Sequence, residues 1–158
     1  MQALGNAIDS RHSILLRAES GLRSYLRGTH AAESYWWLSE NYLARELSML
    51  PRAYPRAPNL LAPSHRSRRS KSAFDRALAL EVSAMMDGDP GEQDAALSEL
   101  IELQSADGSW PVEPILRIPD PRALDFDDPL FKRSLVAADD RRTFTAATVL
   151  RAFVAVGA

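Results

Sequence analysis

The chain has no cysteine, only two lysines (Lys71 and Lys132) and three scattered histidines, in 158 residues. Without cysteine there is no disulfide, no thiolate zinc site and no thiol nucleophile. His12, His30 and His65 lie far apart, and none has metal-ligand spacing to another histidine. No apolar run approaches the roughly 18 residues of a membrane-spanning helix. The first residues, Met-Gln-Ala-Leu-Gly-Asn, lack the basic start and apolar stretch of a secretory signal. No glycine-rich phosphate loop, dinucleotide fingerprint or Gly-x-Ser-x-Gly elbow occurs, so nucleotide binding and serine hydrolysis find no support. The net charge of −2 gives no bulk electrostatic grip on nucleic acid. The basic residues are nearly all arginine, which with the abundant alanine is the pattern of a high-GC bacterial coding bias. A cytoplasmic location fits these absences.

What is present is helical periodicity. Apolar residues recur at helical spacing over Ser10–Arg27, through Ile14, Leu15, Leu22, Tyr25 and Leu26. A second helix is expected over Glu33–Leu50, with Trp36, Leu43, Leu47 and Leu50 on one face and Pro51 ending it. Residues 51–71 carry four prolines and the basic cluster Arg66, Arg68, Arg69 and Lys71, the signature of a long loop. Ser72–Met86 is apolar on most sides, so it should be buried on both flanks. Gly88 suits a helix end, Asp89 an N-cap, Pro90 a first turn and Glu92 a capping box. The next helix, Glu92–Gln104, presents Leu97, Leu100, Ile101 and Gln104. Residues 111–141 are rich in proline and aspartate and read as a second long loop. The last helix, Thr143–Val156, has Ala146, Val149, Leu150 and Phe153 as its stripe, and Asp139-Asp140 as its cap. No segment alternates convincingly as a strand. The expectation is an all-α fold of about five helices with long Pro-rich loops.

Residues 104–110 read Gln-Ser-Ala-Asp-Gly-Ser-Trp at the exit of an amphipathic helix. Gly108 suits the left-handed backbone that ends a helix. Trp110 can lay its indole over the Gln104 amide while its N–H finds a carbonyl. This string resembles the QW repeat of squalene–hopene cyclases, oxidosqualene cyclases and protein prenyltransferase β-subunits. Arg142–Phe153 is similar to the helix that follows a QW turn in bacterial members. Ser34–Leu47, with Tyr35, Trp36, Trp37 and Tyr42, resembles another helix opening there. The resemblance implies a partial α/α toroid spanning residues 1–158. About five helices supply only an open arc of the roughly dozen in a closed toroid, so a second chain or self-association is expected to complete it.

Asp125-Phe126-Asp127-Asp128 matches the Asp-x-Asp-Asp string that supplies the Brønsted acid in squalene–hopene cyclases. By that resemblance Asp127 is the proton donor, tuned by Asp125 and Asp128. Pro129-Leu130 departs from the family, which has a small hydroxyl residue and a helix there. As a plain sequence, aspartates beside proline read as a solvated acidic loop. Trp36, Trp37 and Tyr42 are candidates to line an isoprenoid cavity, where aromatic faces stabilise carbocations. As residues, they read equally as helix-packing aromatics. The resemblance implies no cofactor. The zinc site of prenyltransferase β-subunits needs a cysteine that this chain lacks. The Arg66–Lys71 cluster can meet a diphosphate or an anionic membrane surface, or stay solvated. The functional expectation is a partial or degenerate terpenoid-cyclase-like protein that binds or cyclises an isoprenoid. Its alternative is a non-catalytic helical-repeat scaffold for another protein.

Overall fold

The structure is a computed structural model that describes Arg17, residues 34–49 and residues 70–158. The chain divides into two compact units, residues 1–31 and 32–158, and the described helices and strands all belong to the second. The expected helix over Ser10–Arg27, all three histidines and the loop from 51 to 69 with its arginines lie outside the described residues.

Five helices and a small sheet make up the described part. They are α1 (Glu40–Ser48), α2 (Ala73–Met85), α3 (Pro90–Glu102), β1 (Pro114–Ile118), α4 (Pro129–Lys132), β2 (Leu135–Ala138) and α5 (Thr143–Val156). The described part is therefore helix-rich but not strictly all-α, and residues 111–141 are not a structureless loop. β1 and β2 pair antiparallel, with Leu116 opposite Ala137 and Ile118 opposite Leu135. They escape a pattern search because they are short and their inward positions do not alternate. An irregularity between Pro114 and Leu116 turns Ile115 into the core.

The N-terminal boundary of α1 also differs from expectation. Residues 36–38 lie beside β1, where the Trp36 carbonyl accepts from Arg117 N–H at 2.7 Å and Leu38 N–H donates to the Ile115 carbonyl at 3.1 Å. The helix therefore starts at Glu40, and its buried side is Asn41 and Ala44 while Trp36 is exposed. Capping explains why the later helices match the sequence closely. The Ser72 hydroxyl accepts from Asp75 N–H, and the Asp89 carboxylate from Glu92 N–H at 2.9 Å. The turn after α2 uses Asp87, not Gly88, in the left-handed conformation. Gly88 is needed for another reason. A Cβ there would sit 2.2 Å from Ser83 Oγ and 3.0 Å from its carbonyl oxygen.

α2 is the centre, packed against α1, α3 and α5. Its face of Ala73, Ala77 and Leu80 meets Leu100 of α3, Trp110, and Val149 and Ala152 of α5. Val82 meets Ala44 of α1, and Phe74 and Leu78 meet Ile115. Polar contacts fix the directions. Asn41 reaches Asp75, Arg45 reaches Glu81 and Ser48 reaches Met85, so α1 runs parallel to α2. Arg76 pairs with Glu99 and Gln93 approaches Ser83, so α3 runs back against α2. Glu81 and Arg151 meet partway along their helices, and Glu113 and Asp139, bonded to each other, close the N-terminal turns of α2 and α5, so α5 is again parallel to α2. The result is a row of three parallel helices, α1, α2 and α5, with α3 paired back on α2.

The sheet positions the row from one end. Glu113 and Asp139 are joined by Asp139 N–H to the Glu113 carbonyl at 2.9 Å, and both carboxylates are buried. Glu113 accepts from Ala73 N–H (2.9 Å), Phe74 N–H (3.2 Å) and the Ser72 hydroxyl (2.6 Å), closing the first turn of α2. Asp139 accepts from Thr143 N–H (3.1 Å) and Thr145 N–H (2.8 Å), closing α5. Each anion faces the positive end of a helix dipole. Glu113→Ala leaves two buried amide donors without acceptors and should cost about 2–3 kcal/mol. Urea unfolding checks this, and an unchanged midpoint would contradict the capping role.

Candidate functional site

Three groups of residues carry the functional expectations, and the structure separates them. The first is the turn after α3. Gly108 adopts φ +81°, not to end the helix, as expected, but within the turn Ser105–Ser109: α3 closes earlier, at Leu103, in ordinary right-handed backbone. Trp110 is 3% exposed, and its indole N–H donates to the Leu100 carbonyl at 2.8 Å. The ring lies edge-on to Phe153 of α5, with centroids 6.3 Å apart. Trp110 thus fills the joint where the α2–α3 hairpin meets α5. Gln104 is exposed and donates to the Gly108 carbonyl at 2.8 Å, closing its own turn. The link from this turn to α5 comes instead from Arg142, whose guanidinium meets Ser109 Oγ and the Asp107 carboxylate. The Asp107 carboxyl is held below the ordinary carboxylate range, chiefly by the Ser109 hydroxyl, then by Ser109 N–H and the Arg142 charge. Its stabilising contribution is therefore present above that range and lost as the pH falls through it. Asp107 is exposed, so the contribution is screened by solvent.

The second group is the acidic string. Asp125 Oδ1 accepts from Asp127 N–H and Asp128 N–H, each at 2.9 Å. Asp128 accepts from Leu130 N–H at 2.8 Å and from Leu124 N–H at 3.2 Å, and so caps the short α4. Asp127 and Asp125 are exposed. Pro129, the departure from the family string, stands at the first position of α4, where its missing N–H costs nothing. In this arrangement two carboxylates serve as acceptors for main-chain donors that shape a turn.

The third group is aromatic and splits in two. Trp37 stacks on Tyr42 at 4.5 Å and on Phe74 at 5.6 Å, packing α1 and the segment before it onto α2. Tyr35, Phe126 and the buried Phe131 form a second cluster, with the Arg117 guanidinium 4.6 Å above the Phe131 ring. Tyr35 donates to the Ala123 carbonyl, fastening the residues before the acidic string. Trp36 lies edge-on to Tyr35 at 5.6 Å and keeps most of its surface open. Among the described residues no three acidic, histidine or cysteine side chains are placed to hold a metal ion. No helix among them is long and apolar enough to cross a membrane.

Two features went unread in the sequence. Glu81 is 1% exposed, yet it lies in a helix built mainly of alanine, leucine and valine. Its carboxylate receives Arg45 Nε at 3.0 Å and Arg151 Nε and Nη2 at 3.1 and 2.7 Å. Burial lowers the Arg45 pKa, but the bonds to Glu46 and Glu81 outweigh it and leave the guanidinium above its ordinary value. The only sequence signal was an acid amid alanine, leucine and valine, with arginines on helices before and after. The second feature is the outer side of α5. Phe144, Ala147, Leu150 and Val154 are exposed, with Leu150 at 57% and Val154 at 77%. The expected stripe placed Leu150 inward. Val149 is buried and Ala146 and Phe153 pack against the core as expected, while Thr145, Thr148 and Ala152 are buried in addition.

No protein-family model and no curated protein matches the chain. Trp110→Ala should remove a packed ring and cost about 3–5 kcal/mol. Trp110→Phe, which keeps a ring but drops the bond to Leu100, should cost about 1–2 kcal/mol for the carbonyl left without its donor, plus the smaller ring's packing. Thermal or denaturant melts of the two variants check this order, and a silent Trp110→Ala would sink the clasp.

Proposed function

We propose that the chain is a squalene-cyclase-like α/α-repeat segment that works by binding, as a non-catalytic scaffold, and not as a terpenoid cyclase. The observation that carries this reading is the Asp125–Asp128 turn, on which Asp125 and Asp127 are exposed. A carboxylic acid strong enough to protonate an alkene must be kept protonated, out of water and aimed into an apolar cavity. Here the Asp125 and Asp128 carboxylates are taken up by main-chain N–H groups of their own turn, and Asp127 lies exposed to water beside them.

Support for the repeat reading comes from the helix row. In an α/α array each hairpin sends one helix out and one back, so the first helices of successive hairpins are parallel neighbours. α2 and α5 stand in that relation, with α3 between them in sequence and Trp110 at the joint. The candidate cavity aromatics Trp37 and Tyr42 are engaged with one another and with Phe74, which suits packing. Trp36 is the one of the three that presents a broad open surface. An apolar isoprenoid ligand is the second reading, and it would have to meet such open rings.

Incubation with squalene tests the proposal. Neither the wild type nor Asp127→Asn should yield cyclic product, and the substitution should change stability by no more than about 0.5 kcal/mol, as at most surface positions. Cyclisation by the wild type that disappears in Asp127→Asn would make the chain a cyclase and overturn the reading.

A further inference from the structure

The three parallel helices are joined in the same way twice, and the pattern names what belongs on the next face. α2 turns Glu81 and Val82 toward α1, where they meet Arg45 and Ala44. Seventy residues later, α5 turns Arg151 and Ala152 toward α2. On its other side α2 offers Ala73, Ala77 and Leu80 to α5. The residues of α5 at the same offset are Thr143, Ala147 and Leu150, and all three are open to solvent. α5 therefore carries on its outer side the same kind of surface that α2 uses to receive a parallel helix.

Charge says what that helix brings. Along the row the charges alternate at one height: Arg45 on α1, Glu81 on α2, Arg151 on α5. Glu81 is enclosed by its two arginines, with its side chain 2% exposed, while that of Arg151 is 50% exposed. The bonds from Arg151 to Glu81 use Nε and Nη2. A guanidinium has five N–H donors in a fork suited to carboxylates, so Arg151 has donors left for a second acid. Arg151 is the one charged residue within α5, so nothing on the helix itself repels an anion.

We propose that the outer face of α5, formed by Ala147, Leu150 and Val154, docks an amphipathic helix of another protein, lying parallel to α5 and bringing a carboxylate to Arg151; Phe144, edge-on to Trp37 at 6.2 Å, borders this face. This rests on the helical-repeat reading. The occupant is an acidic helix from a partner chain, because a second α5 stripe would set Arg151 of one copy near Arg151 of the other with no acid between.

The probe is a stapled, fluorescein-labelled peptide of Ser72–Met86, the segment that docks in this manner on an arginine-bearing helix, α1. Titrated with the full chain, it should bind saturably. Leu150→Glu and, independently, Val154→Glu should weaken binding roughly tenfold or more, since each buries a charge in the contact. Both positions are exposed, so the folds should give unchanged circular dichroism spectra. Replacing the peptide's Glu81 by Gln should weaken binding roughly fivefold and remove most of its salt dependence. Absence of saturable binding, or binding indifferent to Leu150→Glu and Val154→Glu, overturns the proposal. Self-association of the wild type that Leu150→Glu abolishes also overturns it, by giving the face to a second copy. Failure of the peptide without cyclisation of squalene leaves the repeat reading intact, whereas cyclisation defeats that reading whatever the peptide does.

Discussion

One buried carboxylate holds the described helices in their relation to each other. Glu81 sits at the middle of α2 and is gripped from one side by Arg45 and from the other by Arg151. Buried ion pairs are poor sources of net stability, because desolvating the charges offsets their attraction. Their attested use is to fix register. That is the role here: two guanidiniums arriving from different helices at one carboxylate leave little freedom for α1 or α5 to slide or reverse. Where α2 meets Ala44 of α1 and Val149 and Ala152 of α5, the apolar contacts are small and aliphatic, and the ion triad fixes the register there more sharply than they do.

The same economy of acids appears at the N-terminal end of the row. Glu113 and Asp139 lie at adjoining points of the small sheet, and each closes the first turn of one helix. The sheet is only two strands deep, yet it sets α2 and α5 side by side and pointing the same way. Trp110 then fills the space where α3 meets the pair. Three local devices, an ion triad, two buried caps and one indole, give the same parallel arrangement. Agreement of this kind across independent interactions is what makes a fold unique.

How far this was legible depends on where each signal sits. Ser72, Asp89 and Asp139 are caps whose chemistry is local, so the helices they start were readable within a residue or two. Trp36 misled because it falls at helical spacing but lies in a segment laid beside β1, where Trp37 bridges to Leu116, 79 residues on in sequence. β1 and β2 are short and irregular, so alternation could not reveal them. Gln104 closes its own turn, while the tie to the next helix comes from a residue outside the motif. The acidic string shows the limit of composition: the same three aspartates suit a buried acid or an exposed turn, and only geometry separates the two. Glu81 was invisible because burial of a charge depends on partners that sequence spacing does not connect.

A double-mutant cycle on Arg45→Met and Arg151→Met tests the central role of Glu81 most directly. Either single change leaves the buried carboxylate one arginine, and relieves the repulsion between the two guanidiniums. The double change leaves it none. If Glu81 joins α1 and α5 through α2, the double variant should lose about 1 kcal/mol or more beyond the sum of the single losses, as measured by urea unfolding. Additivity within about 0.5 kcal/mol would mean that the two arginines act independently and that the triad does not hold the row together.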